Sequence, residues 1–180
     1  MTLETGRPQN EEGREARELR TYGLLDQLGI AYVRVDHAPA DTMEDCVAID
    51  AALGATMCKN LFLCNRQQTD FYLLMMPGDK PFRTKELSAQ IGTARLSFAS
   101  AEHMEQYLDI RPGAVSVMGL ANDRDRAVNL LIDEDLLAAE YVGCHPCVNT
   151  ASLRLSIVDL LHVFLPAVKH SARTVRLTGE

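Results

Sequence analysis

The sequence predicts an α/β fold of the α+β kind: a single compact domain with a mixed, mainly antiparallel sheet flanked by helices. Three observations predict it. Helical and strand patterns alternate irregularly, not as regular strand–helix units. Two short apolar runs, Lys59 to Cys64 and Phe71 to Met76, flank a polar turn at Arg66 to Thr69 and read as a hairpin. The 180 residues are 47% hydrophobic, enough for one full core, and no repeat or linker divides them.

Residues 1–12 are polar and read as a flexible tail, leaving 13–180 as the domain. A helix is expected from Glu11 to Leu28, with Ala16, Leu19, Tyr22, Leu25 and Leu28 on one face and Gly29 as its stop. Tyr32 to Asp36 reads as a strand. Asp41-Thr42-Met43-Glu44 has the form of a capping box opening a helix that ends near Gly54. After the hairpin, Thr84 caps a short helix through Ile91 that Gly92 ends, Arg95 to Phe98 reads as a strand, and Ser100 caps a helix to Leu108. Pro112-Gly113 breaks the chain, and Ala114 to Leu120 fits helix or strand equally. Val128 to Ile132 reads as a strand, Asp133 as a cap, and Tyr141-Val142 as a further strand. Ser156 opens a final helix stopped by Pro166, and Val175 falls in a last strand.

Composition narrows the function. No stretch approaches the ~20 apolar residues of a membrane span. Met1 to Arg20 lacks an apolar signal core, which leads to a cytoplasmic expectation. Five cysteines, Cys46, Cys58, Cys64, Cys144 and Cys147, form no disulfide-scaffold pattern and fit reduced thiols. A net charge of −7 argues against non-specific coating of nucleic acid. It leaves room for local basic clusters, and there are two: Lys80, Arg83, Lys85 and Arg95, and then Lys169, Arg173 and Arg176. Either cluster also fits ordinary surface solubility.

Polar chemistry concentrates in two places. Lys59 and Asn60 stand at the mouth of an apolar strand. A lysine there holds a phosphate as a point charge, or acts as a base if burial lowers its pKa; it also fits an exposed strand edge. Strand alternation sends Asn60 to the opposite face unless a bulge intervenes. The second place is Gly143-Cys144-His145-Pro146-Cys147-Val148-Asn149-Thr150. Pro146 biases His145 towards extended geometry, so its imidazole is fixed in a turn, able to bind a ligand or to satisfy local backbone. The Cys-x-x-Cys within it also admits thiol–disulfide exchange or half a zinc site. Its late position and poor helix start are unlike a thioredoxin-type motif, and the second half of a zinc site is missing. No G-x-G-x-x-G, P-loop, H-E-x-x-H or G-x-S-x-G sequence occurs, so Ser116 is a poor nucleophile.

Taken together, Lys59-Asn60-Leu61-Phe62-Leu63, Pro112-Gly113-Ala114-Val115-Ser116-Val117-Met118-Gly119-Leu120, Gly143-Cys144-His145-Pro146 and Asn149-Thr150-Ala151-Ser152-Leu153 resemble a known family. It is the editing domain inserted in bacterial prolyl-tRNA synthetases and its free-standing relatives, the YbaK/ProX-type aminoacyl-tRNA deacylases. Order and spacing match across roughly residues 20–168. The nearest likeness is to the free-standing proteins that remove alanine from mischarged proline tRNA.

The resemblance implies a trans-editing hydrolase acting on aminoacyl-tRNA, with prolyl-tRNA synthetase as a possible partner and no cofactor or metal. By that likeness Lys59 is the catalytic lysine, holding the terminal phosphate or orienting the ester. Asn60, Met118, Gly119, His145 and Asn149 bind or shape the substrate. Lys80, Arg83, Lys85, Lys169, Arg173 and Arg176 are the tRNA-binding candidates. An activated ester needs chiefly a positioned water and a stabilised oxyanion, and a narrow pocket rejects proline by size. The rivals are a binding module that senses an amino acid or tRNA without turnover, and a thiol oxidoreductase.

Overall fold

Two sheets, not one, organise the computed structural model, which describes residues 1–180. The first sheet has the order β1 (Leu3–Thr5), β2 (Tyr32–Asp36), β8 (Ala151–Ser156), β7 (Tyr141–Cys144), and every pairing in it is antiparallel. The second has the order β5 (Ser97–Phe98), β3 (Lys59–Cys64), β4 (Phe71–Met76), β6 (Val128–Asp133), β9 (Ala172–Val175). There β3 pairs antiparallel with β4 and β5, while β4–β6 and β6–β9 are parallel. The mixed sheet was legible in the sequence; its division into two was not. The division turns on β8, which no local pattern marks and which lies between β2 and β7 at the centre of the first sheet.

Local chemistry explains most boundaries. Helix α1 (Ala16–Gln27) begins later than the expected Glu11 and packs Tyr22 and Leu25 inward. Helix α2 (Met43–Leu53) starts at a capping box one residue beyond the expected one. Thr42 Oγ1 accepts from the Asp45 amide at 3.1 Å, and the Asp45 carboxylate accepts from the Thr42 amide at 3.0 Å. Gly54, at φ +74°, ends it in the left-handed region. Helix α3 (Thr84–Ile91) has Arg83, not Thr84, at its N-cap, and no side chain caps it. Ser100 caps α4 (Ala101–Leu108) as expected. The ambiguous loop resolves as a 3₁₀ turn at Val117–Asn122, and Asp133 caps the short α5 (Glu134–Leu137).

Pro166 does not stop the last helix. Helix α6 (Ile157–Asp159) runs through a π-turn (Leu160–Phe164) into α7 (Leu165–Ala167), so the ring lies where no i→i−4 donor is required. Within residues 1–12, expected as a flexible tail, β1 pairs with β2, and Glu4 reaches the fully buried guanidinium of Arg34 at 2.5 Å.

The hairpin β3–β4 is buried on both faces. Phe62, Cys64, Phe71, Leu73 and Met75 enter the larger core with Tyr22, Leu153 and Phe164. Leu63, Leu74 and Met76 enter a second core with Leu87, Leu96, Leu131 and Val175. Alternation therefore decides where the polar head of β3 goes: Lys59 shares the face of Leu61 and Leu63, and Asn60 that of Phe62.

Candidate active site

A cavity of about 360 Å³ opens where the two sheets meet, and it is lined by both Lys59 and His145. Lys59 comes from the head of β3, and His145 from the turn that follows β7. The sheets are joined at this point by a parallel bridge between Met57 and Gly143, with the Cys58 amide donating to the Gly143 carbonyl at 3.1 Å. Two glycines make the join possible by close approach. A Cβ on Gly78 would stand 2.4 Å from the Met57 carbonyl oxygen, and one on Gly143 would stand 3.1 Å from the Thr56 carbonyl oxygen. Any side chain at either place would push the cavity floor aside.

The cation in the cavity is unneutralised. Lys59 Nζ donates to the Lys80 carbonyl at 2.5 Å and makes no ion pair, so two of its three N–H groups remain for a ligand. The imidazole is set in one tautomer. His145 Nδ1 lies 2.8 Å from the Ala151 carbonyl, which can only accept, so Nδ1 carries the proton and Nε2 keeps its lone pair. Burial pushes the His145 pKa below its usual 6.5, nearby His37 adds to that, and the Ala151 hydrogen bond only partly offsets it. His145 is therefore neutral near pH 7.

Three further polar groups meet here that sequence reasoning missed. Ser152, fully buried on β8, lines the cavity and lies 2.8 Å from His37 Nε2. His37 Nδ1 lies 2.8 Å from the Ala38 carbonyl, so in neutral His37 the Ser152 hydroxyl is the donor to Nε2. Asp50 lines the cavity from α2; its Oδ1 accepts from the Met57 amide at 3.1 Å, and its other oxygen has no protein donor. Burial raises the Asp50 pKa, and the Met57 amide pulls it partly back. Met43, Cys46, Val47 and Asp50 recur at i, i+3, i+4 and i+7, so one face of α2 forms a cavity wall. Met43 is 79% and Val47 65% exposed, an apolar wall with nothing of the chain upon it. That spacing is the signal the sequence carries for this wall.

Other candidates fall elsewhere. Asn60 is on the far face of β3. Its amide donates to Cys58 Sγ at 3.2 Å, and its Oδ1 is buried without a partner. Asn60 touches the cavity only through Cys58, which lines it. Met118 is in the larger core, and Gly119 packs so tightly that a Cβ would meet Ile110 Cδ1 at 2.7 Å and Leu108 Cβ at 3.0 Å. Asn149 borders a separate hollow of about 130 Å³ with Arg111 and Cys147. Met118 and Gly119 serve the loop's packing, and none of the three positions lines the cavity of Lys59.

The basic candidates separate into four situations. Lys80 is neutralised, its ammonium 2.7 Å from each of Asp133, Asp135 and the Leu177 carbonyl. Arg176 pairs with Glu134 at 2.8 Å. Arg83 and Lys85 line a groove with Arg95 and Phe82. Lys169 and Arg173 line another with Arg126, beside Tyr72 and Val128.

The Cys-x-x-Cys pair does not present a thiolate. Cys144 and Cys147 are buried in the larger core; burial pushes Cys144 far up and Cys147 to about 11. No three His, Cys, Asp or Glu side chains gather as a metal-ligand set. No helix is long and apolar enough to cross a membrane.

The profile of the aminoacyl-tRNA editing domain matches residues 37–163, which contain every cavity residue named above. The chain is 36% identical over 136 residues to the "Prolyl-tRNA editing protein ProX" of Acetoanaerobium sticklandii, covering 76% of this chain and 83% of that one. It is 29% identical over 150 residues to "Prolyl-tRNA synthetase associated domain-containing protein 1" of Danio rerio, covering 82% and 80%. A crystal structure assigned provisionally as a trans-editing enzyme for prolyl tRNA synthetase superposes with a TM-score of 0.65 at 19% identity, over 91% of this chain and 99% of that one. That last likeness is one of fold. The chain belongs to the aminoacyl-tRNA editing domain family.

Proposed function

We propose that this protein is a trans-editing hydrolase that deacylates mischarged aminoacyl-tRNA, with alanyl-tRNA for proline as its substrate. The observation that carries the reading is the meeting of an unpaired lysine and a neutral imidazole in one cavity between the sheets. The family and the name of the ProX relative support it.

A role follows for each group. The Lys59 ammonium faces the anionic part of the substrate, either the terminal phosphate or the oxyanion that develops on the ester carbonyl. His145 Nε2 accepts from the ribose hydroxyl beside the ester and so orients it towards the attacking water. The free oxygen of Asp50 accepts from the α-ammonium, whose charge holds the carboxylate ionised against burial. Met43 and Val47 give the aminoacylated nucleoside an apolar wall. Water adds to the ester carbonyl, the carbon–ribose oxygen bond breaks, and the ribose oxygen leaves with a proton. The chain supplies position and charge to an ester that is already activated.

About 360 Å³ fits an aminoacylated nucleoside end more nearly than an amino acid alone. Selection of alanine over proline is therefore assigned to the part of the cavity around Asp50 and Met57, where a ring would displace the ammonium from the carboxylate. The test is a panel of mischarged tRNAs offered to the purified protein. Faster deacylation of alanyl- than prolyl-tRNA by two orders of magnitude or more is expected. Equal rates would refute the size sieve, and no turnover of any ester would refute the hydrolase. Prolyl-tRNA synthetase is the proposed physiological partner, tested by co-elution with tRNA present.

A further inference from the structure

The groove formed by Arg83, Lys85 and Arg95 is a patch of unbalanced positive charge. None of these cations makes an ion pair, and no carboxylate lines the groove, although the whole chain carries a net charge of −7. Helix α3 begins at this groove, its N-cap Arg83 and first residues Thr84 and Lys85 lining it, with no side-chain cap. Beside the groove stands Phe98, 64% exposed, its ring held edge-on by Phe82 at 6.1 Å between centroids. An exposed aromatic beside unpaired cations is the arrangement that binds single-stranded nucleic acid, by stacking a base and neutralising its phosphates.

Its place in the fold gives it a direction. Lys59 Nζ is bonded to the Lys80 carbonyl, and three residues later the same strand of chain reaches Arg83 on the groove wall. Three residues span at most about 11 Å. Phe98 pairs with Leu63 in register, so it lies on the sheet face of Lys59, four residues further along β3, a span of about 13 Å. The rival groove of Lys169 and Arg173 lies on the β6–β9 edge of the sheet, on the other side of β4 from β3 and β5. It also contains Asp125.

We propose that the Arg83–Lys85–Arg95 groove holds the unpaired nucleotides immediately preceding the aminoacylated one, with one of their bases stacked on Phe98. This rests on the deacylase reading, since it takes the terminal nucleotide to lie in the Lys59 cavity. Phe98 then acts on binding of the polynucleotide and not on the chemistry of the ester.

The test compares alanyl-tRNA with alanyl-adenosine, which has no preceding nucleotide, for the wild type, Phe98→Ala, and the pair Lys85→Gln with Arg95→Gln. We expect kcat/KM on alanyl-tRNA to fall about tenfold or more for Phe98→Ala and kcat/KM on alanyl-adenosine to stay unchanged. For the glutamine pair, the dependence of log KM on log salt should become shallower by about 1.4, the release of two counterions from a single strand. Arg66→Gln, an exposed cation outside the groove, should change neither substrate. Equal losses on both substrates, or no loss on alanyl-tRNA, would overturn the proposal. Anisotropy of a labelled single-stranded RNA ending in CCA separates the two ideas. Binding lost in Phe98→Ala while the wild type cleaves neither ester would sink the deacylase reading and leave the groove standing. Undiminished binding in both variants alongside normal turnover would sink the groove alone.

Discussion

Lys59 and Lys80 stand one hydrogen bond apart, and the chain uses them in opposite ways. The Lys80 ammonium is sealed among Asp133, Asp135 and the Leu177 carbonyl, tying the turn after β4 to the end of β6 and the C-terminal segment. The Lys59 ammonium has only the Lys80 carbonyl and faces a cavity. One lysine is neutralised to hold structure; the other is held by structure so that its charge stays unneutralised. A charge left without a carboxylate at a cavity wall marks chemistry, and a charge buried against two of them marks architecture.

Exchanging their fates breaks the comparison most sharply. Lys59→Ala should lower deacylation of alanyl-tRNA at least about a hundredfold, with the melting temperature nearly unchanged. Lys80→Ala should do the reverse: it strands the fully buried Asp133 and costs about 3 kcal/mol of unfolding free energy, with kcat of the folded protein nearly intact. Chemical denaturation and single-turnover deacylation on both variants read the two effects.

A smaller change should come from Gly78→Ala. The new methyl would meet the Met57 carbonyl at 2.4 Å and shift the floor that carries Asp50's hydrogen bond. About 1–3 kcal/mol of stability should be lost, with KM rising more than kcat falls.

The pH profile sharpens the role of His145. Its pKa is lowered in the fold, so deacylation should hold as pH falls through 6.5 and be lost only at lower pH; His145→Gln should remove that limb. The stability sign follows from linkage. Below 6.5 the unfolded chain takes up the proton first, so unfolding free energy should fall with pH there, and His145 contributes nothing to that slope above neutrality. The least effect on catalysis is expected from Cys147→Ser, under about twofold in kcat/KM, because its thiol lies in the core with a pKa near 11. Abolished turnover in that variant would revive the thiol chemistry rejected above.

Much of the architecture was legible because short-range chemistry fixes it: the hairpin, the Ser100 cap, the Gly54 and Gly92 stops. Strand β8 was not legible, since Arg154 sits in its middle. That arginine donates to the Leu53 carbonyl of distant α2 at 3.1 Å and lies over the Tyr141 ring of neighbouring β7 at 4.7 Å. The same division holds for the site. Lys59 at a strand head and His145 before a proline announce themselves locally. Asp50, Ser152 and His37 are single polar residues far apart in sequence: the β2–β8 pairing brings His37 to Ser152, and α2 brings Asp50 to the same cavity. Met118 and Gly119 stood out as motif members, yet their neighbours show a packing role, and Asn149 borders a separate hollow.

Rates of single-turnover deacylation for Lys59→Ala, His145→Gln and the double variant form the decisive cycle. Residues serving one bound ester act as a unit, so the double variant should be little slower than Lys59→Ala alone. Losses that simply multiply would mean the two side chains do not share a substrate, contradicting the single cavity between the sheets.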